Sequence, residues 1–206
     1  MRRIVAIAAL LMGIGRVAEA TPVYLPSGPQ TGVSIATVVA GGWSLCYAQP
    51  MATPIGASAQ NVLNACTGAY LMMAGLETGA NSFIVLAATT RADAIIDTGH
   101  TSNTHLSNGW QWWFSPGDWS WGFTAAGDTV SNNQCDQSNS PTSMCLHTFD
   151  NVGGYRINNI EFLNGSTGYQ KWFFQADAGP AAVPEPATLS LVGLGLAAAI
   201  RRRFRR

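Results

Sequence analysis

Positive charge is almost missing from the middle of this chain. The 206 residues include 11 Lys and Arg and 11 Asp and Glu, so the formal net charge is zero. Most of the cations lie near the two ends, and residues 21–183 hold only three, namely Arg91, Arg156 and Lys171. Nine acidic residues in that segment against three cations give it a net charge of −6. Such a segment lacks the electrostatic footprint of a nucleic-acid-binding protein, and we expect no nucleic-acid partner.

Sequence motifs of several enzyme classes are also missing. There is no Gly-x-Ser-x-Gly elbow, no phosphate-binding loop and no dinucleotide fingerprint. Asp97-Thr98-Gly99 resembles half of an aspartic-protease site, but that chemistry needs two carboxylates, and the chain has no second copy. We interpret this tripeptide as a strand that ends in a turn. His100 and His105 lie in a polar loop with no metal-binding pattern, so we predict no enzymatic activity, no cofactor and no metal.

Cysteine is scarce, and the four that are present suggest two disulfides in an exported protein. Three pairings are possible. We favour the local one, Cys46 with Cys66 and Cys135 with Cys145, because the second pair would close a polar loop that has few apolar side chains to hold it. No pair has the C-x-x-C spacing typical of a metal site.

Residues 1–20 have the pattern of a secretory signal peptide. A basic start precedes an apolar stretch from Ile4 to Ile14, and Ala18 and Ala20 are the small residues of a cleavage site. We therefore predict removal of this segment by signal peptidase and a mature chain that begins at Thr21.

The last 24 residues combine a proline motif, an uncharged apolar run from Ala187 to Ile200, and an arginine cluster. The motif is Val183, Pro184, Glu185 and Pro186, and the cluster is Arg201, Arg202, Arg203, Arg205 and Arg206. The prolines lack a backbone donor and restrict φ, which keeps the motif extended and open to a partner. An apolar helix can lie in hydrocarbon, and the arginines would hold its end on the cytoplasmic side.

The apolar run is short for a membrane span. Its 14 residues would make a helix of about 21 Å, whereas the hydrocarbon core is about 30 Å thick. Arginine snorkelling and local thinning of the bilayer can compensate for the difference. We predict a C-terminal transmembrane helix, and the alternative is an ordinary C-terminal helix.

This order of motif, span and arginines resembles the PEP-CTERM sorting signal of Gram-negative bacteria. The resemblance implies that exosortase, a membrane enzyme, recognises Pro184-Glu185-Pro186, cleaves there and passes the protein outward. It also implies a transient stay in the inner membrane, and then release or display at the cell surface.

The composition between the two ends predicts an all-β domain. Gly, Ser, Thr, Asn and aromatic residues dominate it, with few Lys or Glu to support exposed helices. We predict a β-sandwich with one short helix capped by Ser58, and strands over 32–39, 69–74, 82–89 and 92–97. Asn164-Gly165 predicts a hairpin turn between the last two strands. The predicted domains are a signal peptide (1–20), a β domain (21–176), a linker (177–183) and the sorting tail (184–206).

Aromatic residues are concentrated in residues 110–123, which we interpret as a hairpin. A four-residue loop over 115–118 would pair Phe114 with Trp119, and the pairs that follow would be Trp112 with Trp121 and Trp110 with Phe123. The six rings would then share one face, which is either core or a binding face. Trp113 would face the other way, opposite Ser120, and is expected to be exposed.

The span from Trp43 to about Phe174 is similar to an uncharacterised extracellular module of secreted and surface proteins. That resemblance implies an exported, disulfide-bonded β domain. It rests on residues 42–47, 65–68, 120–123, 135–136 and 153–156.

We therefore predict an exported, non-enzymatic protein of the cell surface or matrix, associated with exopolysaccharide or biofilm. The alternative is a carbohydrate-binding module that uses the tryptophan-rich hairpin. Its candidate ligand face is Trp110, Trp112, Trp113, Trp119 and Trp121.

Overall fold

The computed structural model describes residues 24–28, 30–100, 102–117, 119–131, 135–137 and 141–177. Two antiparallel sheets dominate this part of the chain. The first sheet is formed by β1 (Ser44–Pro50), β2 (Tyr70–Glu77), β3 (Val85–Thr90) and β11 (Tyr169–Ala176). The second is formed by β4 (His105–Ser107), β5 (Trp110–Phe114), β6 (Ser120–Ala125), β9 (Ser143–His147) and β10 (Gly154–Ile157). The short strands β7 (Val130–Ser131) and β8 (Asp136–Gln137) pair with each other.

The strand order is β1-β11-β2-β3 in the first sheet and β10-β9-β6-β5-β4 in the second. The last strand of the described residues, β11, therefore lies in the middle of the first sheet, between β1 and β2. A hydrophobic cluster joins the inner faces of the two sheets, with Met73 and Phe173 on one side and Trp112 and Leu146 on the other. The all-β sandwich predicted from the composition is confirmed.

The two long apolar runs form the buried strands β2 and β3, as predicted, and Met72 pairs with Ala88. The side chains on the outer face of these strands are also buried, because described residues between Leu25 and Trp43 pack on that face of the first sheet. Val38 and Trp43 of that segment pack with Met72 and Phe174 in a second hydrophobic cluster. Burial on both faces explains why these strands are apolar at nearly every position.

Three short α-helices occur in the described residues, where one was predicted. The predicted helix is α2 (Gln60–Ala65), but Ser58 does not cap it, since Ser58 lies in a preceding 3-10 turn with φ 51°. Two stretches predicted as strands are also helical, namely α1 (Ile35–Ala40) and α3 (Arg91–Ala94).

The two unpredicted helices begin at hydroxyl caps. The Ser34 side chain accepts the backbone N–H of Thr37 at 3.0 Å, and Thr90 accepts that of Asp93 at 3.1 Å. Such caps satisfy donors that a helix start leaves free. In these two stretches the cap outweighs the β-branched and apolar residues that had favoured a strand.

The predicted hairpin at Asn164-Gly165 is wrong. The strand before it, β10, pairs with β9 in the second sheet, whereas β11 belongs to the first sheet. Asn164 and Gly165 lie in a 3-10 turn over Leu163–Gly165, and the residue before that turn, Phe162, has φ 59°. The chain uses this turn to cross between sheets, so tertiary packing overrides the local hairpin signal.

No helix within the described ranges is long and apolar enough to cross a membrane. The predicted signal peptide and sorting tail lie outside the described residues, and the domain boundaries remain a prediction.

Lys171 is fully buried in β11, an unusual place for the only lysine of the chain. Its Nζ donates to the backbone carbonyls of Pro50, Met51 and Thr53, which follow β1. Three acceptors match the three donors of an ammonium group, and the contact holds the end of β1 against β11. Burial nevertheless lowers the pKa of Lys171 to about 7.

This burial predicts a pH-dependent stability. Between pH 7 and 10.5 the unfolded chain binds a proton at Lys171 that the folded chain has mostly lost, so the free energy of unfolding must rise with pH. The slope for one proton is at most about 1.4 kcal/mol per pH unit. Urea unfolding from pH 7.5 to 9.5 measures it, and Lys171→Met should remove the slope. A wild-type stability that stays constant or falls over this range would contradict the assignment.

Candidate functional site

The aromatic hairpin forms, but its loop begins one residue later than predicted. Ser115 N–H donates to the Ser120 carbonyl at 3.0 Å, so Trp119 belongs to the loop. The observed pairs are Phe114 with Trp121, Trp112 with Phe123 and Trp110 with Ala125. The predicted pairs are therefore wrong by two residues in register, although the strands keep the same faces.

Thr148, which follows β9, accounts for this register. Its N–H donates to the Trp119 carbonyl at 3.0 Å, and its hydroxyl accepts the Trp119 N–H at 3.2 Å and donates to the Ser115 carbonyl at 2.8 Å. These bonds hold the loop open against the second sheet. A contact to a residue about 30 positions away could not be read from the hairpin sequence.

Most of the candidate ligand face is core. Trp110, Trp112 and Trp121 are fully buried between the sheets, and the Trp121 ring lies 5.1 Å from the ring of Phe173 in the first sheet. The Trp121 Nε1 donates to the Ala94 carbonyl at 2.8 Å, which ties α3 to the core. A carbohydrate face built from these three tryptophans is therefore wrong.

Trp113 is also buried, contrary to the prediction that it would be exposed. It lies on the outer face of the second sheet opposite Gly122, and its Nε1 donates to the Ser120 hydroxyl at 2.9 Å. A side chain at Gly122 would collide with the Trp113 ring, so this glycine makes room for the indole. Cys135 and Cys145, which form a disulfide, pack with Val130 against Trp113 on this face.

Both predicted disulfides are present, Cys46–Cys66 and Cys135–Cys145. The first joins β1 to the end of α2, and the second packs against Trp113. No free cysteine occurs in the described residues.

Trp119 is the one member of the candidate face that stays at the surface, and it begins a longer series of rings. Its ring centroid is 5.6 Å from that of His100 and 5.2 Å from that of Phe149. His147 follows at 6.2 Å from Phe149, Tyr155 at 5.7 Å from His147, and Phe162 at 5.6 Å from Tyr155. We call these six residues the aromatic row: His100, Trp119, Phe149, His147, Tyr155 and Phe162.

Exposure rises toward the two ends of the aromatic row. Phe162 is 77% exposed and His100 is exposed, whereas Trp119, Phe149 and Tyr155 are half-buried and His147 is buried. Phe162 has φ 59°, a left-handed conformation that is costly for a bulky residue. An exposed apolar ring held on strained backbone is a feature that clusters at ligand sites.

His147 makes the centre of the aromatic row uncharged at neutral pH. Burial lowers the pKa of His147, and a hydrogen bond with the backbone of Trp119 opposes this effect only in part. The Nδ1 atom of His147 has no hydrogen-bond partner among the described residues.

A charged pair flanks the row beside Tyr155. The Arg156 guanidinium lies 5.7 Å from the centroid of the Tyr155 ring and pairs with the Glu161 carboxylate. Arg156 is buried, whereas Glu161 is exposed at the surface next to Phe162. The row therefore offers apolar ring surface bordered by an exposed carboxylate.

The other sequence candidates have local structural roles. The Asp97 carboxylate accepts the Gly99 N–H at 2.8 Å, which makes the turn predicted for that tripeptide. His105 pairs with Asp93 at 3.2 Å, and Ser107 also donates to Asp93 at 2.8 Å. In the part of the chain that the structure describes, no group of three or more His, Cys, Asp or Glu could hold a metal ion.

Sequence reasoning found only Trp119 of the aromatic row. Phe149, Tyr155 and Phe162 come from separate segments, and only the packing of β9, β10 and the crossover turn brings them together. In the sequence only Phe149 stands among polar residues, whereas Tyr155 and Phe162 belong to a stretch with apolar residues at alternate positions, which is typical of a strand.

Comparison with known protein families finds a match at the C-terminal end of the chain. Residues 182–206 match the family model of the PEP-CTERM protein-sorting motif, which confirms the resemblance seen in the proline motif, the apolar run and the arginines. The motif marks the chain as an exported protein that is processed by exosortase and sorted to the cell surface. No curated protein and no solved structure matches the chain. The matched tail and the predicted cleavage residues Ala18 and Ala20 lie outside the described residues.

Because Trp112 lies in the core and Trp119 at the surface, we expect their replacement by Ala to lower the free energy of unfolding by different amounts. Trp112→Ala removes a fully buried ring and should lower the free energy of unfolding by about 3–5 kcal/mol. Trp119→Ala removes a half-buried ring in a loop and should cost less than about 1.5 kcal/mol. Urea unfolding of the two variants beside the wild type tests this, and equal losses would contradict the surface position of Trp119.

Proposed function

We propose that the mature protein is a non-enzymatic component of the cell surface or extracellular matrix, associated with exopolysaccharide. The sorting motif at residues 182–206 is the observation that carries this proposal. The two disulfides support it, because such bonds persist in the oxidising exterior of the cell. Two covalent cross-links suit a small domain that functions outside the cell.

The processing route follows from the order of the segments. Signal peptidase cleaves after Ala20 during export, and the apolar run from Ala187 holds the protein transiently in the inner membrane. Exosortase then cleaves at Pro184-Glu185-Pro186. Residues 177–183, rich in Ala, Gly and Pro, would keep this motif clear of the β domain.

The titratable groups that the sequence singled out have structural partners. The Asp97 carboxylate is engaged in its own turn, and Asp93 accepts from both His105 and Ser107. These contacts support a structural role for each group.

Intact-mass analysis of the exported protein tests the processing route. We expect a chain that begins at Thr21 and ends near Pro184. Replacement of both Pro184 and Pro186 by Ala should block the second cleavage and leave the tail in the membrane fraction, because the extended motif is lost. Released wild-type protein that still contains Arg206 would contradict the proposal.

A second, more specific function is contact with polysaccharide through the aromatic row. Sugar rings present C–H faces that pack on aromatic side chains, and exposed apolar patches of this kind mark binding sites. Trp119 and Phe162 supply the accessible rings, and the carboxylate of Glu161 could accept hydrogen bonds from hydroxyl groups.

Affinity electrophoresis through gels that contain the producing cells' own extracellular polysaccharide tests this contact. We expect the wild type to be retarded and Trp119→Ala and Phe162→Ala to migrate as in a gel without polysaccharide. Leu106→Ala is the matched control, because Leu106 is 64% exposed but lies outside the row. Equal retardation of all four proteins would contradict a binding role for the row.

A further inference from the structure

We infer that the aromatic row binds an uncharged polysaccharide rather than an acidic one. This inference rests on the polysaccharide contact proposed above and names the chemical class of the ligand. It follows from where the structure places the few Lys and Arg side chains of the domain.

The three Lys and Arg residues of segment 21–183 are all engaged inside the fold. Lys171 is fully buried with its Nζ on three backbone carbonyls. Arg156 is 3% exposed and pairs with Glu161. Arg91 is half-buried and donates to the carbonyls of Cys66 at 2.9 Å and Leu63 at 3.2 Å.

Recognition of an acidic polymer needs accessible Lys or Arg side chains, and the described surface around the aromatic row has none. Carboxylate, sulfate and phosphate groups are bound in proteins by Arg and Lys, often in bidentate pairs. Arg156, the cation nearest the row, is buried and already bound to a carboxylate. No other Lys or Arg stands within five residues of any member of the row in the sequence.

The charge that does face solvent near the row is negative. Asp150, next to Phe149, and Glu161, next to Phe162, are both exposed. With a net charge of −6 over residues 21–183, the domain would repel a polyanion at low ionic strength. The same carboxylates are acceptors for the hydroxyl groups of a neutral sugar.

The length of the row favours a chain over a single sugar. Its two exposed ends, His100 and Phe162, are joined by three half-buried rings and by the buried ring of His147, with adjacent centroids 5.2–6.2 Å apart. A ligand that covers rings at several points along this series buries more apolar surface than one sugar can.

Calorimetric titration of the exported protein with matched polymers tests the class of ligand. Polygalacturonate and its fully methyl-esterified form share one backbone and differ in charge, and neutral mannan and anionic alginate extend the comparison. The titrations are run at pH 8. We expect a neutral polymer to bind at least about tenfold more tightly than any anionic one. Its Kd should change less than about twofold between 50 and 500 mM NaCl, since no charge pair is formed.

Variants of the aromatic row show whether the row is the site at which the polymer binds. Trp119→Ala and Phe162→Ala should abolish binding of the neutral polymer, and Leu106→Ala should leave it intact. Preferential binding of an anionic polymer that weakens with salt would overturn this inference and leave the polysaccharide contact standing. Failure of all four polymers and of the cells' own polysaccharide to bind would overturn both. Tight neutral binding that the two row variants leave unchanged would overturn the assignment of the site.

Discussion

The structure depends on one aromatic layer between two sheets. Trp112, Trp121 and Phe123 of the second sheet meet Phe173 of the first, and the centroids of Trp121 and Phe173 are 5.1 Å apart. Large rings of this kind bury more apolar area than other side chains and dominate the energetics of a small core. Because β11 carries Phe173 into the middle of the first sheet, the C-terminal end of the domain is part of this layer.

The same layer determines which aromatic residues remain for binding. Most of the tryptophan-rich hairpin belongs to this layer, and the Cys135–Cys145 disulfide packs against Trp113 on the opposite face. Trp119 stays outside this layer because Thr148 binds the backbone of the hairpin loop and keeps Trp119 in that loop. The aromatic row is therefore a product of tertiary packing, and the engagement of Lys171, Arg156 and Arg91 in the fold leaves its surroundings acidic.

Features with a local cause could be predicted from the sequence. The buried strands β2 and β3, the short-range disulfides and the sorting tail each follow from residues within one segment. The Asn164-Gly165 hairpin, the register of the aromatic hairpin and the burial of Trp113 were wrong, because each depends on a distant contact. Two short helices were read as strands, since a capping hydroxyl outweighed β-branched residues. Most of the candidate site could not be predicted for the same reason.

Five of the seven tryptophans lie in the core, whereas Trp119 and Trp172 are half-buried. Fluorine NMR of exported protein labelled with 5-fluorotryptophan tests this division through the solvent isotope shift between H₂O and D₂O. We expect no shift for Trp43, Trp110, Trp112, Trp113 and Trp121 and a clear shift for Trp119 and Trp172, assigned by single Phe substitutions. A solvent shift at Trp112 or Trp113, or its absence at Trp119, would contradict this division.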